Sequence, residues 1–169
     1  MRGTNDIDEL RIWFELYRLE AKHWYDVDFN DGRSAHELYC DDGLFAVGPN
    51  RFEGQHGIKA FFEWRRGREK RSTRTVITNV MVHAQDGRRA TMSGIVTSYN
   101  AKGSTPLEDG NVPALIADFT SECVLEQDDS WRYASHTLKP VFKGSETLLS
   151  LAIDPSFLAS HSSHHSVGR

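Results

Sequence analysis

The chain has 169 residues, 26% of them charged and 38% hydrophobic, with 20 Lys and Arg against 24 Asp and Glu for a net charge of -4. That length is enough for one domain with a real core and no disulfide or structural metal, and the acidic balance speaks against a nucleic-acid partner. No segment approaches the ~18 consecutive apolar residues of a membrane span, and "MRGTNDIDEL" has no apolar leader, so the expectation is a cytoplasmic protein with no membrane partner.

The first predicted helix runs from about Asn5 to Phe29, with Asn5 or Asp6 as its cap and Asp6, Asp8 and Glu9 in the first turn. Helical spacing aligns Leu10, Trp13, Tyr17, Ala21, Trp24 and Asp28 as an apolar stripe. Asp28 intrudes on it, and a carboxylate there must be hydrogen-bonded, paired, wet or in use. "NDG" ends the helix. A short helix, "RSAHELYC", follows with Ser34 as a cap, and "LFAV" reads as a strand.

"GPNRFEG" predicts a turn and a short return strand, and "QHGIKAFFEWRRGREK" a third helix with a basic end. The basic run "EWRRGREKRSTR" reads first as a solvated helix terminus and second as an anion site. From Arg74 the pattern alternates. "RTVITNVMVHA" and "RATMSGIVTSYN" form a long hairpin turning at Gln85 to Arg88, and "PALIADFTSECVLEQ" and "SWRYASHTLKPVF" form a second hairpin. "NAKGSTPLEDGNVP" between them is a loop of the sort that serves as a lid or an oligomer contact.

Residues 1–143 are thus one α+β domain, with the helices covering one face of a curved antiparallel sheet and enclosing a pocket. Residues 144–169 are an extension, with a small helix at "SETLLSLAI" and then a disordered tail. Cys40 and Cys123 lack metal-ligand spacing and read as buried thiols, and the "HSSHH" tail has no framework to fix a metal.

The phrases "ELYCDDGLFAVGPNRFEGQHGIKAFF", "TRTVITNVMV" and "SWRYASHTLKPVF", in this order, resemble the nuclear transport factor 2 family in its SnoaL-like and scytalone-dehydratase-like branch, over about Ile7 to Phe142. The resemblance implies a cone-shaped, cystatin-like α+β barrel with three N-terminal helices, and a homodimer or homotrimer. In the dehydratases of that branch an Asp at the end of the first helix orients a His on the first long strand. Asp28 falls on the Asp position. The family phrase R-H-x-x-[TS]-N meets Arg74-Thr75-Val76-Ile77-Thr78-Asn79, so the His slot is Thr75, which cannot act as a general base near neutral pH.

The expected function is a cofactor-independent lyase or isomerase acting on a small hydrophobic carbonyl compound. Ketosteroid isomerase, of the same general fold, uses an Asp base without a histidine partner. The alternative is a non-catalytic ligand-binding protein or an oxygenase small subunit. Candidate catalytic groups are Asp28, Asp118 on the more polar face of its strand, and His136 if it points inward. Candidate substrate contacts are Tyr17, Trp24, Thr75 and Tyr99. No metal or cofactor is expected.

Overall fold

The structure is a computed structural model that describes residues 6–103, 105–107, 112–145 and 148–161. Helix α1 (Asp6–Phe29) leads into a 3-10 turn (Ala35–Leu38), β1 (Tyr39–Val47), β2 (Asn50–Glu53) and α2 (Gly54–Arg66). The chain continues through β3 (Arg71–Asp86), β4 (Arg89–Lys102), β5 (Leu115–Leu125), β6 (Trp131–Lys143) and α3 (Pro155–His161). The six strands form one curved, unclosed sheet in the order β2-β1-β6-β5-β4-β3. Its pairs are antiparallel except β1 with β6, which run parallel. The sheet is therefore mixed where the alternation alone suggested an antiparallel one.

The buried face of α1 is Ile12, Leu16, Leu19, Glu20, His23 and Val27, rotated from the predicted stripe. Leu10, Trp13 and Ala21 are exposed, and Tyr17, half-buried, stacks on Trp13 at 5.2 Å. The aromatic residues misdirect the periodicity because two polar groups, Glu20 and His23, occupy the core instead.

Beyond α1 the N–H groups of Asn30 and Gly32 both donate to the Asp26 carbonyl, at 2.9 and 3.0 Å. Asp31 (φ 54°) and Gly32 (φ 71°) take the left-handed conformation that closes such a helix end. A Cβ on Gly32 would also collide with the Phe62 ring. The Asp26 carboxylate accepts from the Asn30 amide at 2.6 Å and the Ser34 N–H at 3.0 Å. It is Asp26, then, that ties down the "NDG" turn, while Asp28 is turned towards the sheet. The predicted second helix is only the 3-10 turn, and Ser34 makes no side-chain cap.

β3 and β4 pair from Arg71↔Lys102 to Thr78↔Ile95, then slip and resume at Met81↔Ser93. The slip is a bulge at Asn79, which has φ 55°. Opposite it a Cβ on Gly94 would lie 2.6 Å from the Phe119 ring and 2.9 Å from the Thr78 carbonyl oxygen, so a glycine is required where the strand bends over the core. Before the bulge Thr73, Thr75 and Ile77 face inward. After it Val80, Val82 and Ala84 do.

The extension folds back over the open end of the cone. The Asn50 amide donates to the Ser150 carbonyl at 2.8 Å, Ile153 is buried, and the Phe157 ring packs 5.9 Å from Trp64. The predicted helix at "SETLLSLAI" is displaced: residues 148–152 form turns, Glu146 and Thr147 lie outside the described residues, and α3 starts only at Pro155. Asp154 caps it, accepting the Ser156 N–H at 2.7 Å, and a proline suits the first helical position. The "SSHHSVGR" end and parts of the long loop after Lys102 also lie outside the described residues.

Candidate functional site

Alternation on the inward face places Thr73 and Thr75 of β3 beside Val96, Ser98 and Asn100 of β4, and Leu115 and Leu138 complete that wall. Trp24 and Val27 of α1, Phe45 and Val47 of β1, and Phe61, Phe62 and Arg65 of α2 close the other side. Between them is a cavity of about 60 Å³, covered at its mouth by Leu148, Leu149 and Ser150. The lining is apolar apart from a polar stripe of Thr73, Thr75, Ser98 and Asn100, with Arg65 on the α2 side and Ser150 at the mouth.

Asp28, at the last turn of α1, stands behind this stripe and is half-buried. Thr73 Oγ1 donates to its Oδ1 at 2.9 Å, the Thr75 N–H to Oδ2 at 2.6 Å, and Thr75 Oγ1 to Oδ1 at 3.2 Å. The partner of Asp28 is therefore Thr75 itself, through both backbone and hydroxyl, with Thr73 beside it. A carboxylate offers about four lone-pair sites, and three are occupied. With both hydroxyl protons turned to Asp28, the free lone pairs of Thr73 and Thr75 are left as acceptors on the cavity side. The wall is thus set to accept from a hydroxyl or N–H on a guest.

A second polar group lies deeper and is sealed. Glu20, His23, Tyr39, Tyr133 and His136 are all fully buried. Glu20 Oε1 accepts from the Trp24 indole N–H at 2.7 Å and lies 3.4 Å from His136 Nε2, while Oε2 accepts from the Tyr133 hydroxyl at 2.7 Å. The Tyr39 hydroxyl is 3.2 Å from His136 Nδ1. Burial alone would raise the Glu20 carboxyl, but His136, His23 and the Tyr133 hydroxyl together hold it at about 2. His23 makes no hydrogen bond through either ring nitrogen and is caged by aromatic rings, among them Trp24, Tyr39 and Tyr133. Burial, with His136 adding, pushes its pKa down to about 3 against the pull of Glu20, so it is a neutral ring.

Of the residues singled out in the sequence, Trp24 and Thr75 line the cavity, with Asp28 directly behind Thr75. His136 points inward as expected but belongs to the sealed group, behind Trp24 and Phe45 at ring separations of 5.9 and 5.7 Å. Asp118 is exposed and lies on the outer face, since its neighbours Ala117 and Phe119 are the buried ones. Tyr99 points outward between the lining residues Ser98 and Asn100, and Tyr17, half-buried, stacks on the exposed Trp13 and is not among the cavity-lining residues. These three are corrections, each decided by which parity of its strand or which arc of its helix meets the core. Thr73, Ser98, Asn100 and Arg65 were missed, although the alternation from Val96 gives Ser98 and Asn100 once that residue is placed inside.

Among the described residues no group of three or more His, Cys, Asp and Glu side chains gathers as a metal would require. Cys40 is a buried thiol pushed up to about 12, chiefly by burial. No helix of the described residues is long and apolar enough to cross a membrane.

The model of the family described as the SnoaL-like domain matches residues 9–137. The chain belongs to this family, within the nuclear transport factor 2-like superfamily. Among the curated proteins compared, none matches the sequence. Solved structures share the fold at low identity. A candidate scytalone dehydratase from Novosphingobium aromaticivorans superposes with a TM-score of 0.73 at 16% identity, over 85% of this chain and 93% of that one. A candidate aromatic ring hydroxylase from the same organism gives 0.70 at 18%, over 83% and 96%. A protein of unknown function with a cystatin-like fold from Nostoc punctiforme gives 0.63 at 18%, over 76% and 90%.

Proposed function

We propose that this SnoaL-like protein takes a small, mainly apolar compound bearing a hydroxyl or enolisable carbonyl into the cone cavity and acts on it as a dehydratase- or isomerase-type enzyme. The observation that carries this reading is the hydrogen-bonded set of Asp28, Thr73 and Thr75 on an otherwise apolar wall. In the proposed step the substrate proton moves to Thr75 Oγ1 as the Thr75 hydroxyl proton moves to Asp28 Oδ1. Asp28 is the net acceptor, and the hydroxyl is a relay rather than a base; the proton then returns to the substrate, at another carbon in an isomerisation or to the departing hydroxyl, which leaves as water, in a dehydration. Ser98, Asn100 and Arg65 supply donors for the oxygen on which charge develops.

A second reading, binding without turnover, is favoured by the three donors already on Asp28. The two part on mutation. Thr75→Val keeps the backbone N–H to Asp28 and the side-chain volume but removes the relay. Candidate hydroxy and keto compounds are screened for binding by calorimetry and for turnover by formation or migration of a double bond. The enzyme reading expects turnover by the native protein and a drop of about 100-fold in Thr75→Val. Tight binding with no turnover by the native protein overturns it in favour of the second.

The cavity is well below the roughly 300–1,000 Å³ of drug-sized sites, so entry requires the covering residues Leu148–Ser150 to give way. We further propose that copies of the chain associate through the outer sheet face, where Val76, Met81 and Phe142 are exposed. Light scattering that gives a monomer mass would overturn this.

A further inference from the structure

We propose that the compound taken into the cavity carries an oxyanion, a carboxylate or a phosphate, and that this group is held at the mouth by a basic rim built on Arg65. The proposal rests on the cavity reading above and names the substrate class it admits. Next to the cavity is a second recess of about 270 Å³, lined by six cations, Arg33, Arg65, Arg66, Arg68, Lys70 and Arg71, against two carboxylates, Asp31 and Glu69. In a chain of net charge -4 this is a marked local reversal of sign. Such a concentration of one sign in a recess focuses the field on an anionic guest.

The recess and the cavity adjoin. Arg65 and Leu149 line both, and Arg71 of the rim donates to the Asn100 side chain of the cavity wall at 3.4 Å. A guest with an apolar body in the cavity would therefore present its end to the guanidinium groups.

The carboxylates of the recess do not pair with Arg65. Glu69 is paired with Lys102 at 3.0 Å. Asp28 already accepts its three bonds from Thr73 and Thr75. Among the described residues no carboxylate lies within ion-pair distance of Arg65. Burial pushes the Arg65 pKa down, with Asp31 and Asp28 opposing and Arg71 and Arg66 adding. A guanidinium cannot shed its charge to escape this, so an incoming oxyanion relieves it, and the planar fork suits a carboxylate or phosphate. The position also explains why the run "EWRRGREK" is more than a solvated helix end: its first arginine turns back into the cone.

Three probes separate the parts of this site. Inorganic phosphate reports the rim alone, methyl benzoate the cavity alone, and benzoate both; phenyl phosphate tells a phosphate preference from a carboxylate one. Calorimetry on the full chain is expected to give benzoate or phenyl phosphate at least about tenfold tighter binding than methyl benzoate, as one charge-assisted bond allows. That advantage should collapse in Arg65→Gln, be retained in part in Arg65→Lys, and fall with added salt in the native protein. The salt series stands even if Arg65→Gln fails to fold. Equal binding of acid and ester, with no salt dependence and no phosphate binding, overturns the proposal while leaving the cavity reading intact. Phosphate binding at the rim without ester or acid in the cavity overturns the cavity reading instead.

Discussion

Glu20 and Asp28 are the same chemistry on one helix, about two turns apart, yet they stand in opposite surroundings. Glu20 is fully enclosed, with every contact made by the protein's own Trp24, Tyr133 and His136. Asp28 is half-buried, and its partners are side chains that line a space. A buried charge whose bonds are all internal is a commitment of the fold. One whose partners have lone pairs facing a cavity can respond to a guest. The contrast teaches that, in a cone with two layers of polar groups, depth separates enclosed groups from accessible ones better than residue type does: the histidine pair sits in the sealed layer and the threonines in the layer that lines the cavity.

The largest test of that division is Glu20→Ala. It leaves His136 facing no carboxylate and two donors unpaired, and is expected to cost about 3–5 kcal/mol in urea unfolding. A loss below about 1 kcal/mol would break the comparison from its deep side. Asp28→Ala is expected to cost less, about 1–3 kcal/mol, because the Thr73 and Thr75 donors it strands can turn to water entering the cavity. A cost equal to that of Glu20→Ala would make Asp28 a commitment of the fold like Glu20.

The last test of the division is a pH dependence. The Glu20 carboxyl lies lower when folded, so its contribution is full above its ordinary value of 4.5 and is lost as the pH falls towards about 2. His23 also lies lower when folded. Protonating it opposes folding, and its contribution is full above 6.5 and lost as the pH falls towards about 3. Denaturant midpoints of the native protein should therefore begin to fall below about pH 6.5. In His23→Leu the decline should start only near pH 4.5. An unchanged onset would show that another group carries it.

Much of the fold is legible in the sequence. Alternation marks the four long strands from Arg71 to Lys143, and "NDG" and "GPN" mark the turns. What is not legible is which parity faces the core when strands bulge. Register slips exchange the inward set part-way along β3 and β6, from Ile77 to Val80 and from Tyr133 to His136, whereas β4 and β5 alternate unbroken, so Tyr99 and Asp118 are placed as soon as one inward neighbour, Val96 or Phe119, is known. The deep cluster is hidden for a different reason. Glu20 and His23 look like solvent-facing residues until Tyr133 and His136, more than a hundred positions away, satisfy the carboxylate. The parallel pairing of β1 with β6 is equally non-local.

The bulge at Asn79 also affects how the protein can change. One strand contributes Thr73 and Thr75 to the cavity from its first half and Val80 and Val82 to the packed interior from its second, and the extra residue lets each half keep its own phase. Substitutions that retune the cavity can accumulate on one side of this splice without altering the register on the other. The two halves of β3 are thereby partly independent units of variation.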